Sequence, residues 1–214
     1  MNDSEKIKKF WNVDTIDEAK YERVSTLKSK NTGISSFDET IVTSVIDNII
    51  LKHTNNINGY KILDFGCGVG RILKFFSKRK EAKFYGTDIS ENMIKFCKEH
   101  CLNEDIFLNL SEVEKINFKD NFFDIIYSFH VLQHIPTLEY LTLTLSEIYR
   151  IQKDNGISIL HFNKKISETN KNSGSFEGYR PSHENCLKIL NSLNFKIIDT
   201  EFIENGSFVI YCVK

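Results

Sequence analysis

The side chains able to do chemistry fall into three groups. Asp64 stands two residues ahead of three alternating glycines, Gly66, Gly68 and Gly70; Cys67 lies inside that run and Arg71 directly after it. Asp88 and Ile89 follow about 20 residues beyond, the interval at which nucleotide-binding α/β folds set an acid against a pair of ribose hydroxyls. The third group is the imidazoles His130, His134 and His161, with Tyr179 and Arg180 further on. Histidine, with its near-neutral pKa, is the side chain best matched to general-base work. Each of the three could equally be a packed core residue. Arginine suits a carboxylate or phosphate, so Tyr179 and Arg180 could receive an anionic substrate group, or simply decorate the entry to the next helix.

These groups need elements to hold them. Tyr60 to Leu63 is a short apolar run that reads as a buried strand, and Ile72-Leu73-Lys74-Phe75-Phe76 starts a helical pattern. The glycines between them allow a sharp turn with no side chain to keep a ligand away. The helix is expected to aim its amide N–H groups and its positive dipole end over that turn. Ala82 to Asp88 is a second strand ending in its acid; Ser90 can cap the helix beginning near Glu91 without competing with a ribose role for Asp88.

The spacing narrows the ligand. A dinucleotide fingerprint is G-x-G-x-x-G, and its third small residue would here be Arg71, too large for helix–strand packing. The run is instead G-x-G-x-G behind a carboxylate, which repels a pyrophosphate and suits a cationic amino acid end. It resembles motif I of the class I S-adenosylmethionine-dependent methyltransferases. That resemblance implies that Asp64, Gly66, Cys67, Gly68, Gly70 and Arg71 wrap the amino acid end and ribose of S-adenosyl-L-methionine. Asp88 and Ile89 match the family's acidic loop. The segment Phe123-Asp124-Ile125-Ile126 through Val131-Leu132-Gln133-His134-Ile135-Pro136 is similar to the small-molecule branch that includes the ubiquinone-pathway enzymes. There the backbone at Phe129 would meet the cofactor and the following side chains would face substrate. The residue that reads adenine blurs: the usual acid-then-small pair is missing, and Ser111, Glu112 or the Val113 amide could take that part.

Length and composition bound the rest. The 214 residues can bury one sizeable core, and 41% hydrophobic with 27% charged content is ordinary for a globular domain. With 28 basic against 29 acidic residues, no overall field favours nucleic acid or an anionic membrane. Lys74, Lys78, Arg79 and Lys80 read as a solvated helix face. The five cysteines are odd in number and lack a C-x-x-C pair, which suits a reducing compartment. Cys97, His100 and Cys101 could share one helix face but lack a fourth metal ligand at finger-like spacing, so no metal is expected. The charged start of the chain has no apolar signal core and no run reaches membrane-spanning length. A cytoplasmic protein, monomer or homodimer, with no nucleic acid or membrane partner, is the expectation.

The expected fold is α/β: a three-layer Rossmann-like arrangement with a seven-stranded, mostly parallel sheet, an antiparallel last strand, helices on both faces and an N-terminal helical extension. One domain spans 1–214, with 1–57 as the extension and 58–214 as the cofactor-binding sheet. In the extension, Ile41, Val45 and Ile49 make a helical stripe. Trp11 and Tyr21 belong either to a cover over the cofactor, with Tyr21 toward substrate, or to ordinary packing. The strand after the glycine unit's helix pair is Ile106 to Asn109; the next covers Asn121 to Ser128. Thr137 caps a helix carrying Leu138, Leu141, Leu145 and Ile148, and Ile157 to Phe162 is a further strand. Ser182 caps the last helix, after a long polar connection from Asn163 to Pro181 of the kind that is usually functional. A hairpin turning at Glu204-Asn205-Gly206 closes the chain.

Three functions fit these residues. The first is methyl transfer to oxygen, nitrogen or carbon of a small molecule. The second is methylation of protein or RNA by a compact catalytic domain, and the third is cofactor binding without transfer. No Asn/Asp-Pro-Pro-Tyr/Phe run, Pro-Cys pair or basic stripe points to a nucleic acid substrate. A nicotinamide dehydrogenase is disfavoured by Arg71.

Overall fold

A computed structural model describes residues 3–12, 51–54, 56–76, 79–100, 106–112, 115–163, 178–203 and 206–214. Their helices are α1 (Asp3–Trp11), α2 (Arg71–Phe76), α3 (Glu91–His100), α4 (Leu138–Ile151) and α5 (His183–Ser192). Their strands are β1 (Lys61–Phe65), β2 (Lys83–Asp88), β3 (Ile106–Leu110), β4 (Phe123–Ser128), β5 (Gln152–Phe162), β6 (Lys196–Phe202) and β7 (Phe208–Val213). The helical stripe at Ile41, Val45 and Ile49 and the residue Tyr21 lie outside the described residues, as do most of the 163–181 connection and Glu204-Asn205 of the turn.

The seven strands form one sheet in the order β3-β2-β1-β4-β5-β7-β6. β1 runs parallel to β2 and β4, β2 to β3, and β4 to β5, whereas β7 is antiparallel to both β5 and β6. The strand order reverses between β1 and β4, which is where open α/β sheets bind ligands beyond their carboxyl ends.

Alternation along the strands builds two cores, one on each face. Ile62, Phe84, Ile125, Ile159 and Val209 pack with Leu73 of α2 and Ile94 and Cys97 of α3. Their chain neighbours Leu63, Tyr85, Ile126, Leu160 and Ile210 pack on the other side with Leu141, Leu145 and Ile148 of α4 and Leu190 of α5. One contact on the first face is unusually close. A side chain at Gly86 in β2 would place its Cβ 2.5 Å from Leu73 Cδ1, 2.7 Å from Leu108 Cδ2 and 3.0 Å from Cys67 Sγ.

The helix starts follow local chemistry. Thr137 caps α4 by accepting from the Tyr140 amide, and Ser182 caps α5 by accepting from the Asn185 amide. β5 differs from its expected extent: it begins at Gln152 rather than Ile157, and its pairing with β4 shifts register between Phe123 and Ile125. Gln152 explains the longer strand, because its side chain accepts from Ser158 Oγ at 2.6 Å and donates to the Gly156 carbonyl, stitching the irregular stretch together. No described helix is long and apolar enough to cross a membrane.

Candidate active site

β1 delivers Asp64 to the middle of the sheet, opposite Gly86 on one neighbour and Tyr127 on the other. The chain then reverses through Gly66, Gly68 and Gly70, whose φ angles are 78°, 54° and 81°, in the left-handed region that glycine alone enters freely. At Gly66 a Cβ would also overlap the Val131 side chain, so the segment after β4 sits directly against the turn.

Four amides of the turn itself are taken up within the fold. Gly66 and Cys67 both donate to the Thr87 carbonyl, at 2.8 and 3.0 Å. Gly68 donates to Asp88 Oδ2 at 2.8 Å, and Gly70 donates to the Cys67 carbonyl at 2.9 Å. A phosphate cradle needs those N–H groups free. The turn instead presents bare backbone beside two acids.

Asp88 ties this turn to the next loop. One carboxylate oxygen takes the Gly68 amide and the other takes the Ser90 amide at 2.9 Å, while its own carbonyl accepts from Ser111 at 2.9 Å. Burial pushes the Asp88 carboxyl up, and the Ser90, Gly68 and Ile89 amides pull it back. Ser111 is buried beside it, whereas Glu112 is exposed. Asp64 is the more perturbed acid. Burial, with a smaller contribution from the Asp88 charge, raises it to about 8, against the opposing pull of the Tyr127 hydroxyl and Arg71. Two buried carboxyls therefore share one interior corner, Asp88 held by backbone amides and Asp64 beside Tyr127.

Cys67 faces inward. The Cys97 thiol beside it, then burial, raises the Cys67 thiol well above its ordinary value, so it stays neutral. Its place in the turn is one of packing under the backbone.

Beyond β4 the chain carries the imidazoles. His130 has φ 60°, a strained conformation for a residue with a side chain. Its amide donates to His161 Nδ1 at 3.3 Å, and the two rings lie 4.5 Å apart between centroids. Phe129 stands 6.1 Å from the His161 ring. Burial lowers His161 to about 3, with His130 adding to the effect. Burial, then Arg71 and His134, lower His130 to about 4, although the residue as a whole is exposed. His134 is buried in the short turn Leu132–His134, its Nε2 3.0 Å from Gln133 Nε2 and its ring edge-on to Trp11 at 4.8 Å.

Two distant segments close on this turn. Gly178 and Tyr179 donate to the carbonyls of Gln133 and Ile135 at 3.0 and 2.6 Å, and a Cβ at Gly178 would overlap that backbone. Arg180 follows with its Nε buried and without a partner among the described residues. From the N-terminus, Asn12 Oδ1 accepts from Ser90 Oγ at 3.3 Å and the Asn92 amide at 3.1 Å, docking the end of α1 on the loop after Asp88.

The structure thus brings together Asp64, the glycines, Arg71, Asp88, Ser111, His130 and His161. Glu112 is turned to solvent, and Tyr21 lies outside the described residues. Sequence reading missed Tyr127, whose only signal is its place opposite Asp64 across two strands. It also missed Thr87 and Ser128, whose buried hydroxyls have no partner near these strand ends. Among the described residues no group of three or more His, Cys, Asp or Glu could hold a metal.

Residues 63–160 match the methyltransferase domain family. The ubiquinone/menaquinone biosynthesis C-methyltransferase UbiE of Neisseria gonorrhoeae is 32% identical over 118 residues, covering 52% of this chain and 47% of that protein. The chain spans about half the length of the curated relatives it matches. Among solved structures, the magnesium protoporphyrin IX methyltransferase ChlM of Synechocystis PCC 6803 with bound SAH superposes with a TM-score of 0.72 at 22% identity. That match covers 99% of this chain and 100% of that one. The [4+2]-cyclase SpnF shares the fold at a TM-score of 0.67 and 15% identity, over 86% of this chain and 85% of its own. Sheet order and sequence match agree: residues 63–160 are similar to the methyltransferase domain family and, over about half of the chain, to the ubiquinone/menaquinone C-methyltransferases.

Proposed function

We propose that the protein binds S-adenosyl-L-methionine between Asp64 and Asp88 and transfers its methyl group to a small-molecule acceptor. One observation carries the reading: the turn's amides are taken up internally while two buried carboxyls stand beside it, an arrangement hostile to a pyrophosphate and suited to an ammonium end. Bound there, the cofactor would supply an electrophilic methyl carbon, with its sulfur as the leaving group that would keep the electron pair when the acceptor takes the methyl.

The chain's own work is chiefly placement. Asp88 would receive the ribose hydroxyls with the lone pairs left over from the Gly68 and Ser90 amides, and Ser111 would flank the adenine. Asp64 would receive the ammonium, directly or through water, and Ile89 and the Phe129 backbone would line the same cleft. Holding acceptor and methyl carbon in line supplies most of the acceleration in such a displacement. Trp11 and the 178–180 segment would wall the acceptor side, with Tyr179 and Arg180 against the substrate. A cytoplasmic location and a monomer or homodimer accompany this reading.

The second reading, cofactor binding without transfer, has one observation in its favour: the same fold serves a [4+2]-cyclase. Titration calorimetry separates the cofactors. S-adenosylmethionine and S-adenosylhomocysteine bind and NAD does not; binding of NAD alone overturns the proposal. Incubation with a metabolite library and the methyl donor, read by mass for a gain of one methyl group, then divides transfer from mere binding.

A further inference from the structure

Resting on that reading, we infer that His161 binds the acceptor as a hydrogen-bond donor through Nε2, and that the site takes an acceptor bringing its own anionic oxygen.

The argument starts from the backbone. An amide N–H can only donate, so the His130 amide at 3.3 Å obliges His161 Nδ1 to offer a lone pair. A neutral imidazole carries one proton, which then sits on Nε2. Turning the ring over would set carbon against the amide. His130 holds this position in a left-handed conformation, φ 60°, that a residue with a Cβ adopts only when its surroundings enforce it. On the far side of the ring, Nε2 has no partner among the described residues. A donor at a strand's carboxyl end that no described residue accepts from is free to meet an acceptor atom of a ligand.

The remaining groups point to a charged oxygen. His161 is 4% exposed and is held neutral far below physiological pH by burial and by His130, the titratable ring against it, so it makes a poor proton acceptor. His134 Nε2 is already engaged by the Gln133 side chain. With both inner imidazoles so occupied, an acceptor that must first lose a proton finds little help. One that arrives ionised, such as a phenolate, enolate or carboxylate, needs none. Arg180 adds an unpartnered, buried Nε–H on the segment clamped to Gln133 and Ile135, a second donor suited to an oxyanion.

Long-range ¹⁵N spectra of the full chain with S-adenosylhomocysteine test the tautomer directly. His161 should show a protonated Nε2 and an unprotonated Nδ1 throughout pH 6 to 8; the opposite tautomer, or a titration midpoint near 6.5, overturns the inference. Titration with 4-nitrophenolate and benzoate should move the Nε2 signal, while benzylammonium leaves it alone. His161→Asn retains an oxygen where Nδ1 stands and removes the distal N–H, so the affinity of the oxyanion probe should fall about tenfold, the scale of a hydrogen bond to a charged group. His161→Gln restores a distal N–H and should recover most of that loss. Unaltered affinity in His161→Asn, no response to either oxyanion, or preference for the cation each sinks the idea. S-adenosylhomocysteine affinity should be the same in both variants. If the cofactor itself fails to bind the wild type, the functional reading falls, whereas the tautomer result still stands on its own.

Discussion

The two ends of the sheet treat their polar groups differently. At the amino end Asp124 accepts from the Lys61 amide at 2.8 Å and from Lys153 Nζ at 2.7 Å. Arg150 divides its donors among Glu147, Asp120 and the carbonyls of Phe118 and Ile116. A cleft of about 390 Å³ lined by His53, Tyr60, Asp124 and Asn155 lies at this end; Asp124 is paired there, whereas His53 Nε2 is buried 3.6 Å from Asp199 without a hydrogen bond among the described residues. At the carboxyl end, Asp64 and Asp88 are buried and raised, and Thr87 and Ser128 keep unpaired hydroxyls. Buried polar groups are normally paired, and the exceptions cluster where a ligand completes them. The first end pairs its charged groups within the fold; the second leaves buried acids and hydroxyls that the proposed cofactor would complete.

Three experiments can break or sharpen that contrast. The largest effect is expected from Asp88→Ala, which removes the proposed ribose contact and leaves the Gly68 and Ser90 amides unpaired. Cofactor affinity should fall on the order of 100-fold, at about 1.5–3 kcal/mol per hydrogen bond to a charged group; calorimetry showing equal affinity would take Asp88 out of the site.

Asp64→Asn is expected to act in two opposite ways. The folded-state pKa of Asp64 is raised from 3.8 to about 8, so between those values the folded protein holds a proton that the unfolded chain releases. Its contribution to the stability of the empty protein therefore declines as pH rises from about 4 through 8, and the asparagine variant should be spared that decline. Urea melts at pH 5 and pH 9 check this; identical pH dependence in both proteins refutes the assignment. Binding of a cationic ligand at pH 7 should release close to one proton from the wild type and none from the variant, read from calorimetry in buffers of different ionisation enthalpy. Affinity should drop about tenfold, the scale of one charge-assisted bond.

Lys153→Met is expected to do least. It removes a partly exposed ion pair with Asp124, typically worth about 0–1 kcal/mol, and should leave cofactor affinity unchanged. A loss of affinity there would show that the amino end also serves the ligand.

What could be read in the sequence was what neighbours along the chain decide. The glycine turn, the caps at Thr137 and Ser182, and the closing hairpin strands each depend on residues a few positions apart, and each is found where expected. β5 was read short because Lys153, Asp154 and Asn155 look like a loop, and only the side chain of Gln152 reaching Gly156 and Ser158 makes them strand. In the site, the acids and glycines are legible by type and spacing. Their protonation and pairing are not, since Tyr127 meets Asp64 only across two strands. Likewise the turn's amides are claimed by Thr87 and Asp88 of the neighbouring strand, and the His161 tautomer is set by a backbone angle at His130. Those are three-dimensional facts with no local signature.

Gly86 has the last consequence. Because Leu73, Leu108 and the Cys67 sulfur crowd the space above it, the residue acts as a shim under the glycine turn. A methyl group added there would first press on the tips of Leu73 and Leu108 and then on the sulfur that the turn carries inward. This mid-strand position therefore bears on the turn only through the packing beneath it.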